Sequence, residues 1–295
     1  MTDDIPLRLP DGHELRGMGA AVATKHDKTA TIARALSGPA GLWLQTAAVD
    51  TDTLGTFTGE TPRSGTPRAT VIAKARWACR DSGLDLGIGS EGSFFPHPEV
   101  GLITMQIEHV ALTQASTGLI VIGTAIGGAP WALKRTLTHA DDLDAFSEVL
   151  ASGTQRLIVR PNTRSLTDHS EGITKGIATT ERLRTAVNEA IRHSESDRAI
   201  VESDLRAHHC SPRRDLIQTA ARDLAHRLAT RCPTCNSPGF GHHESRTGAP
   251  CAWCGGPTAT LLHHVYSCPT CLFSTIETLP GTDAADPGTC PECNP

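Results

Sequence analysis

Eight of the ten cysteines in this 295-residue chain form four Cys-x-x-Cys pairs: Cys232/Cys235, Cys251/Cys254, Cys268/Cys271 and Cys290/Cys293. Two thiolates separated by two residues can share one metal, and a closed tetrahedral site takes two such pairs. Fifteen residues separate Cys235 from Cys251 and eighteen separate Cys271 from Cys290. Both gaps match four-cysteine zinc ribbons. The spacing therefore predicts a tandem zinc-ribbon region over residues 231–295 with two structural zinc ions. Pairing consecutive motifs is the simplest arrangement. A cross-braced one, first pair with third and second with fourth, is the alternative. Neither leaves zinc an open position for chemistry.

A disulfide framework is the competing reading of these cysteines. The N-terminus shows no basic segment followed by an apolar run, so a reducing, cytoplasmic setting is expected. A redox Cys-x-x-Cys would stand alone beside a βαβ unit, not in a series of four. His242, His243, His263 and His264 lie near ribbon cysteines and read as exposed loop residues, Cys79 as a small core residue, and Cys210 as buried or free.

The length allows two or three folding units. A formal charge of -5 argues against a general nucleic-acid or membrane-surface protein, and no apolar stretch approaches a bilayer span. From Cys232 onward the chain has Arg246 and no lysine, against Glu244, Glu277, Asp283, Asp286 and Glu292. Direct nucleic-acid binding by the ribbons is disfavoured, because that affinity comes from Lys and Arg on phosphates. A protein partner fits the ribbons better.

Residues 1–164 alternate strands and helices. Ala20–Ala23, Leu42–Val49 and Leu84–Gly89 read as strands, with helices over Thr29–Leu36 and from the Thr66-Pro67 start to Ser82. Ile103–Thr113 and Leu119–Ala125 form a hairpin around Ser116-Thr117-Gly118, followed by a helix over Asp141–Ala151 and a strand over Arg156–Arg160. Residues 165–230 read as a helical segment, with a long helix opening at Ser211-Pro212. The fold class is therefore α/β: a mixed sheet with flanking helices, a helical segment, then the ribbons.

In such sheets ligands bind beyond the carboxyl ends of strands. Thr24-Lys25-His26-Asp27-Lys28, Asp50 to Glu60 and Ser90-Glu91-Gly92-Ser93-Phe94 fall at those ends. Thr24, Lys25, His26 and Lys28 at a helix start suit phosphate. Glu91, with Asp52, Asp50 and Glu60, suits Mg²⁺ completed by phosphate oxygens. His97 is near enough in sequence to join Glu91, although a histidine between two prolines also reads as a rigid loop residue. Asp204, Arg206, His208, His209 and Arg213 form a polar knot that either reaches over the sheet to bind substrate or, the reading preferred here, caps an interhelical turn.

The order Val22-Ala23-Thr24-Lys25-His26-Asp27-Lys28, then Ala73-Lys74-Ala75-Arg76-Trp77-Ala78, then Ser82-Gly83-Leu84 and Glu91-Gly92-Ser93-Phe94, resembles the inosine/xanthosine triphosphate pyrophosphatases over residues 20–125. That resemblance implies Lys28 and Lys74 on phosphate, Glu91 on a Mg²⁺ that activates water, and Glu60 as second acid or general base. The chain departs from that pattern where Lys25-His26 and Ser90-Glu91 stand. A second resemblance carries Asp50 to Glu60, Glu91 to Pro98, Asp204-Leu205-Arg206-Ala207, Ser211-Pro212-Arg213, Cys232 to Phe240 and Cys251 to Thr258. It is to an uncharacterised bacterial family, a domain of unknown function, and implies no activity. The leading expectation is a Mg²⁺-dependent phosphohydrolase acting on a nucleotide. A non-catalytic zinc-ribbon adaptor is the alternative.

Overall fold

A computed structural model describes residues 9–25, 28–38, 40–54, 65–97, 101, 103–130, 132–140, 143–163 and 172–295. The chain divides into two compact units: residues 1–118 with 122–225, and residues 119–121 with 226–295.

The first unit opens with β1 (Gly19–Ala23), α1 (Thr29–Leu36), β2 (Trp43–Ala47), α2 (Pro67–Ser82), β3 (Leu86–Pro96), β4 (Thr104–Gln114) and all but the first two residues of β5 (Ile120–Gly128). Their strands form one mixed sheet in the order β2-β1-β3-β4-β5. β1 runs parallel to both β2 and β3, and β3 pairs antiparallel with β4 along its whole length. α2 starts as its sequence dictates: the Thr66 side chain accepts from the Ala69 N–H, Pro67 stands at the first helical position, and Gly83 closes the helix at φ 71°.

β3 decides the geometry of this unit. The turn-like run Ser90-Glu91-Gly92-Ser93-Phe94 lies inside the strand, and β3 extends to Pro96 where a strand end at Gly89 was expected. Polar and glycine residues signal a turn only when their backbone groups lack a partner, and here β4 stays in register alongside the whole run and bonds its alternate residues. β1, however, stops at Ala23, opposite Gly89. Beyond that point β3 has lost its parallel neighbour, so Ser90 to Phe94 still border the carboxyl end of β1. There the chain leaves β1 toward one edge of the sheet and β3 toward the other, the kind of switch point at which α/β sheets bind ligands.

The rest of the first unit comprises β6 (Lys134–Leu137), α3 (Ser147–Ser152), β7 (Arg156–Pro161), β8 (Thr174–Ile177), α4 (Thr180–Arg192), β9 (Ala199–Asp204) and the start of α5 (Ser211–Ala229). A second, antiparallel sheet has the order β6-β9-β7-β8. Leu183, Ala186, Val187 and Ala190 of α4 pack with Phe146, Leu157, Val159, Ile177 and Val201 in its core. The stretch expected to be helical thus contains β8 and β9. β9 offers only Ala199-Ile200-Val201 as an apolar run, and its polar half is hidden because β6 and β7 flank it on both sides.

The second unit contains β10 (Gly241–Thr247), β11 (Leu261–Ser267) and β12 (Ser274–Thr278), an antiparallel sheet in that order. Among residues 231–295 the buried apolar side chains other than cysteine are Pro238, Ala249, Val265 and Ala285. So few apolar groups cannot offset the entropy of ordering this segment, and metal ligation is left as its organising force.

Candidate metal centres and strand-end site

The eight cysteines of the second unit converge into two clusters, Cys232/Cys235/Cys268/Cys271 and Cys251/Cys254/Cys290/Cys293. The pairing is interleaved, first motif with third and second with fourth, in place of the simpler consecutive ribbons. Sulfur separations test the fit to metal. They are 3.7 Å for Cys232 to Cys271, 3.6 Å for Cys235 to Cys268, 3.9 Å for Cys251 to Cys293 and 3.6 Å for Cys254 to Cys290. A Zn–S bond of about 2.3 Å gives a tetrahedron edge of about 3.8 Å, so both clusters fit a zinc ion.

Each motif turns in the same way. The N–H four residues on donates to the first cysteine's carbonyl, from Asn236, Gly255, Leu272 and Asn294. Backbone N–H groups also approach the sulfurs: Thr234 to Cys232, Trp253 to Cys251, Gly256 to Cys254 and Thr270 to Cys268. Donors placed around thiolates stabilise their charge. His242 and His264 lie on β10 and β11 and bond the Ser245 hydroxyl, outside both sulfur clusters.

The first unit assembles a different constellation. Successive side chains of β3 alternate between the two faces of its sheet. Gly89 and Glu91 face α2, and a side chain at Gly89 would collide with the carbonyl of Val71 and with Lys74. Glycine there lets α2 lie directly on the strand. Lys74 then meets the next residue on that face, its Nζ donating to Glu91 Oε2 at 2.5 Å with both side chains buried. On the other face Gly92 stands opposite Glu108. A Cβ at Gly92 would strike the Glu108 carboxylate and Arg213, so glycine makes room for that pair.

Arg213, on α5, donates from Nε to Glu108 Oε1 at 2.7 Å and from a terminal nitrogen to the Leu205 carbonyl at 2.6 Å. Gln106 also donates to Glu108 Oε1 at 2.7 Å, and the guanidinium lies 5.7 Å from the Phe94 ring centre. The other Glu108 oxygen, Oε2, is buried with no hydrogen-bond partner among the described residues. Lys28, at the N-cap of α1, reaches across to Ser90, its Nζ donating to Oγ at 3.0 Å. Burial pushes the Lys28 amine down to about 7; Arg213 and Lys74 push the same way, while Glu108 and Glu91 oppose them.

Lys28, Lys74, Glu91 and Thr24 thus belong to one neighbourhood, with the Thr24 hydroxyl accepting from the Lys28 N–H. Lys25 turns elsewhere. Its Nζ binds Asp50 at 3.1 Å and Asp52 at 2.8 Å on an exposed rim, and those carboxylates raise its pKa. His26 and Glu60 lie outside the described residues. His97 sits six residues beyond Glu91, about 20 Å along an extended strand, and does not share its site. The residues expected to hold Mg²⁺ do not fit it. Glu91 is occupied by Lys74 and Asp52 by Lys25, and the two sulfur clusters are the only groups of three or more metal-ligating side chains among the described residues.

Arg213 leaves the polar knot to which its sequence neighbours assign it. Asp204 and Arg206 form that knot by themselves, through Nε at 2.9 Å and a terminal nitrogen at 2.6 Å. His208 beside them is pushed down to about 4 by burial, with His209 and Arg206 adding to the effect. Glu108 and Gln106 were not anticipated. Their signal is the alternation Gln106, Glu108, Val110, Leu112, which sets polar residues on a strand face that is otherwise apolar.

A family model described as a domain of unknown function (DUF6671) matches residues 74–295. The span includes Lys74, Glu91, Glu108, Arg213 and all eight clustered cysteines, while Thr24 and Lys28 precede it. Searches of curated proteins and of solved structures found no match.

Proposed function

The chain belongs to the DUF6671 family, whose description assigns no activity, and from its own residues we propose that the first unit binds a small phosphate-bearing molecule, nucleotides included, at the carboxyl end of β1. One observation carries the reading: beside the Lys74–Glu91 and Arg213–Glu108 pairs, which flank Ser90 to Gly92 on the two faces of the sheet, Lys28 brings a third cation to Ser90 that has no carboxylate of its own among the described residues. An excess of cations in partly buried surroundings is costly without an anion, and a switch point is where a ligand would supply one. Lys28 is the contact residue in this reading, because Lys74 and Arg213 already hold their own carboxylates. Their role is to set the field and fix Ser90 to Gly92 in place. Hydrolysis of a phosphoanhydride is the reaction such a site would favour, with the cations stabilising charge on the phosphoryl oxygens. The zinc-bearing unit is structural in this scheme.

Calorimetry and thermal melting with nucleoside triphosphates, diphosphates and inorganic pyrophosphate test binding. Phosphate release, followed with and without Mg²⁺, tests turnover. Binding should weaken at least tenfold in Lys28→Met. Absence of binding to every phosphate compound at millimolar concentration would sink the proposal, and binding without release would remove only the hydrolase part.

A second reading gives the zinc-bearing unit a protein partner. Trp253 and Leu272, on the turns of two different metal motifs, are 78% and 80% exposed. Arg246 is paired with Glu244 at 2.6 Å, which leaves this unit no uncommitted lysine or arginine from Cys232 onward for nucleic acid. Retention on nucleic acid that is lost with Arg246→Gln would overturn this choice of partner.

A further inference from the structure

We propose that one face of the β10-β11-β12 sheet carries a third metal site, an open one in which His242 and His264 hold a divalent ion of the kind imidazole prefers, Zn²⁺, Ni²⁺ or Cu²⁺. It is independent of the anion site proposed above.

The backbone builds the pair. His242 and Ser245 are three residues apart on β10, a spacing that puts side chains on opposite faces of a regular strand. Pairing with β11 slips between His242 and Glu244, so that His242 stands opposite Tyr266 and Ser245 opposite His264. His243 is the extra residue of this bulge. Tyr266 and His264 are two residues apart on β11 and share a face, which places His242, Ser245 and His264 on it together. Bulges recur beside functional sites because they re-aim side chains in this way.

The side chains then converge. His242 Nε2 and His264 Nδ1 both lie 2.9 Å from the Ser245 hydroxyl oxygen. A hydroxyl has one proton, so it satisfies the lone pair of one imidazole and the other ring must present its own N–H. A divalent ion at that point takes both lone pairs. The ring centres are 5.0 Å apart with their planes at 85°. Two imidazoles on one ion, at metal–nitrogen bonds of about 2.0–2.1 Å, place their centres roughly 5 Å apart. Glu277 pairs with His264 from β12 and accepts from the Tyr266 phenol, which sets a carboxylate beside the ion. Both rings are half-buried and reach solvent, so entry needs only the Ser245 hydroxyl to swing aside. Imidazole and oxygen donors suit Ni²⁺ and Cu²⁺ as well as Zn²⁺, whereas the four-thiolate clusters are closed and select zinc. Water fills the remaining positions, where a further ligand can enter.

Full-length protein with both thiolate clusters zinc-filled is titrated with Ni²⁺ in a calorimeter, while native mass spectrometry counts the zinc retained. One Ni²⁺ should bind with both zinc ions in place. Loss of an outer-shell partner already weakens metal sites about 10–100-fold, so His242→Gln and His264→Gln should each weaken Ni²⁺ by roughly tenfold or more. His263→Gln removes the neighbouring histidine of β11, which lies on the opposite face and bonds Thr278, and should leave binding unchanged. With Cu²⁺ in place of Ni²⁺, the electron paramagnetic resonance spectrum of the wild-type protein should show coupling to two imidazole nitrogens. Ni²⁺ taken up only as zinc is lost, or binding that ignores the His242 and His264 changes or falls equally with His263→Gln, overturns the proposal. Should a variant fail to hold its zinc, the wild-type spectrum decides, and coupling to fewer than two nitrogens also overturns the site.

Discussion

Exchanging cysteines two at a time tests the interleaved pairing directly. Cys235 and Cys268 belong to one cluster, and Cys251 to the other. Cys235→Ser/Cys268→Ser therefore leaves four thiolates intact around one metal, whereas Cys235→Ser/Cys251→Ser damages both sites. Apparent zinc binding by such sites amounts to about 10–16 kcal/mol at neutral pH. One thiolate in four is then worth roughly 3 kcal/mol, on the order of a hundredfold in affinity. After a brief wash with a competing chelator, native mass spectrometry should find about one zinc in the first variant and none in the second. Consecutive pairing predicts the reverse, none and one, and that result would refute the geometry.

The same arithmetic explains why spacing could not decide the pairing. The chain runs 33 residues from Cys235 to Cys268 and 36 from Cys254 to Cys290. Consecutive closures would need 16 and 19. Doubling a loop costs about 0.6 kcal/mol, so the interleaved form gives up only ~1 kcal/mol in closure entropy. The β10-β11-β12 sheet offsets that with backbone hydrogen bonds and burial of Val265.

Three further outcomes are expected. Glu91→Gln leaves the Lys74 ammonium buried without its carboxylate and should cost about 3–5 kcal/mol in urea unfolding, most of it restored in Glu91→Leu/Lys74→Met. Sulfate, whose charge is constant near neutrality, should bind the first unit with an affinity that falls as pH rises through about 7, because Lys28 loses its proton there; in Lys28→Met the calorimetric profile should be flat. Leu272 holds φ at 62°, where Asn236 of the first metal motif holds 59°, so Leu272→Asn should raise stability by about 0.5–1 kcal/mol in a thermal melt of the zinc-loaded protein.

The sequence made local structure legible where a cap or a period carried it. Thr66-Pro67 to Gly83 announced α2, and the alternating first half announced the mixed sheet. β9 was illegible because its neighbours, not its own residues, hide Glu202 to Asp204. Within the strand-end site, Lys28, Lys74 and Glu91 were marked by position. Glu108 was not, and Arg213 was marked without its partner, because the two lie 105 residues apart in the chain and only the folded sheet and α5 bring them together. Glycine told half of its story. Gly92 reads as a turn signal, yet here it clears space for an ion pair within a strand.

The interleaved clusters also determine how the second unit answers a pull. Tension between Cys232 and Cys293 is carried by three stretches of chain in parallel, each joining the first cluster to the second: Cys235 to Cys251, Cys254 to Cys268 and Cys271 to Cys290. Because the free stretches are nearly equal, rupture of one cluster transfers the load to the other with little added length. The unit therefore yields in one abrupt lengthening of roughly 170 Å at about 3.6 Å per residue, where two consecutive ribbons would give way one after the other. Interleaving makes two small metal clasps fail as a single mechanical element.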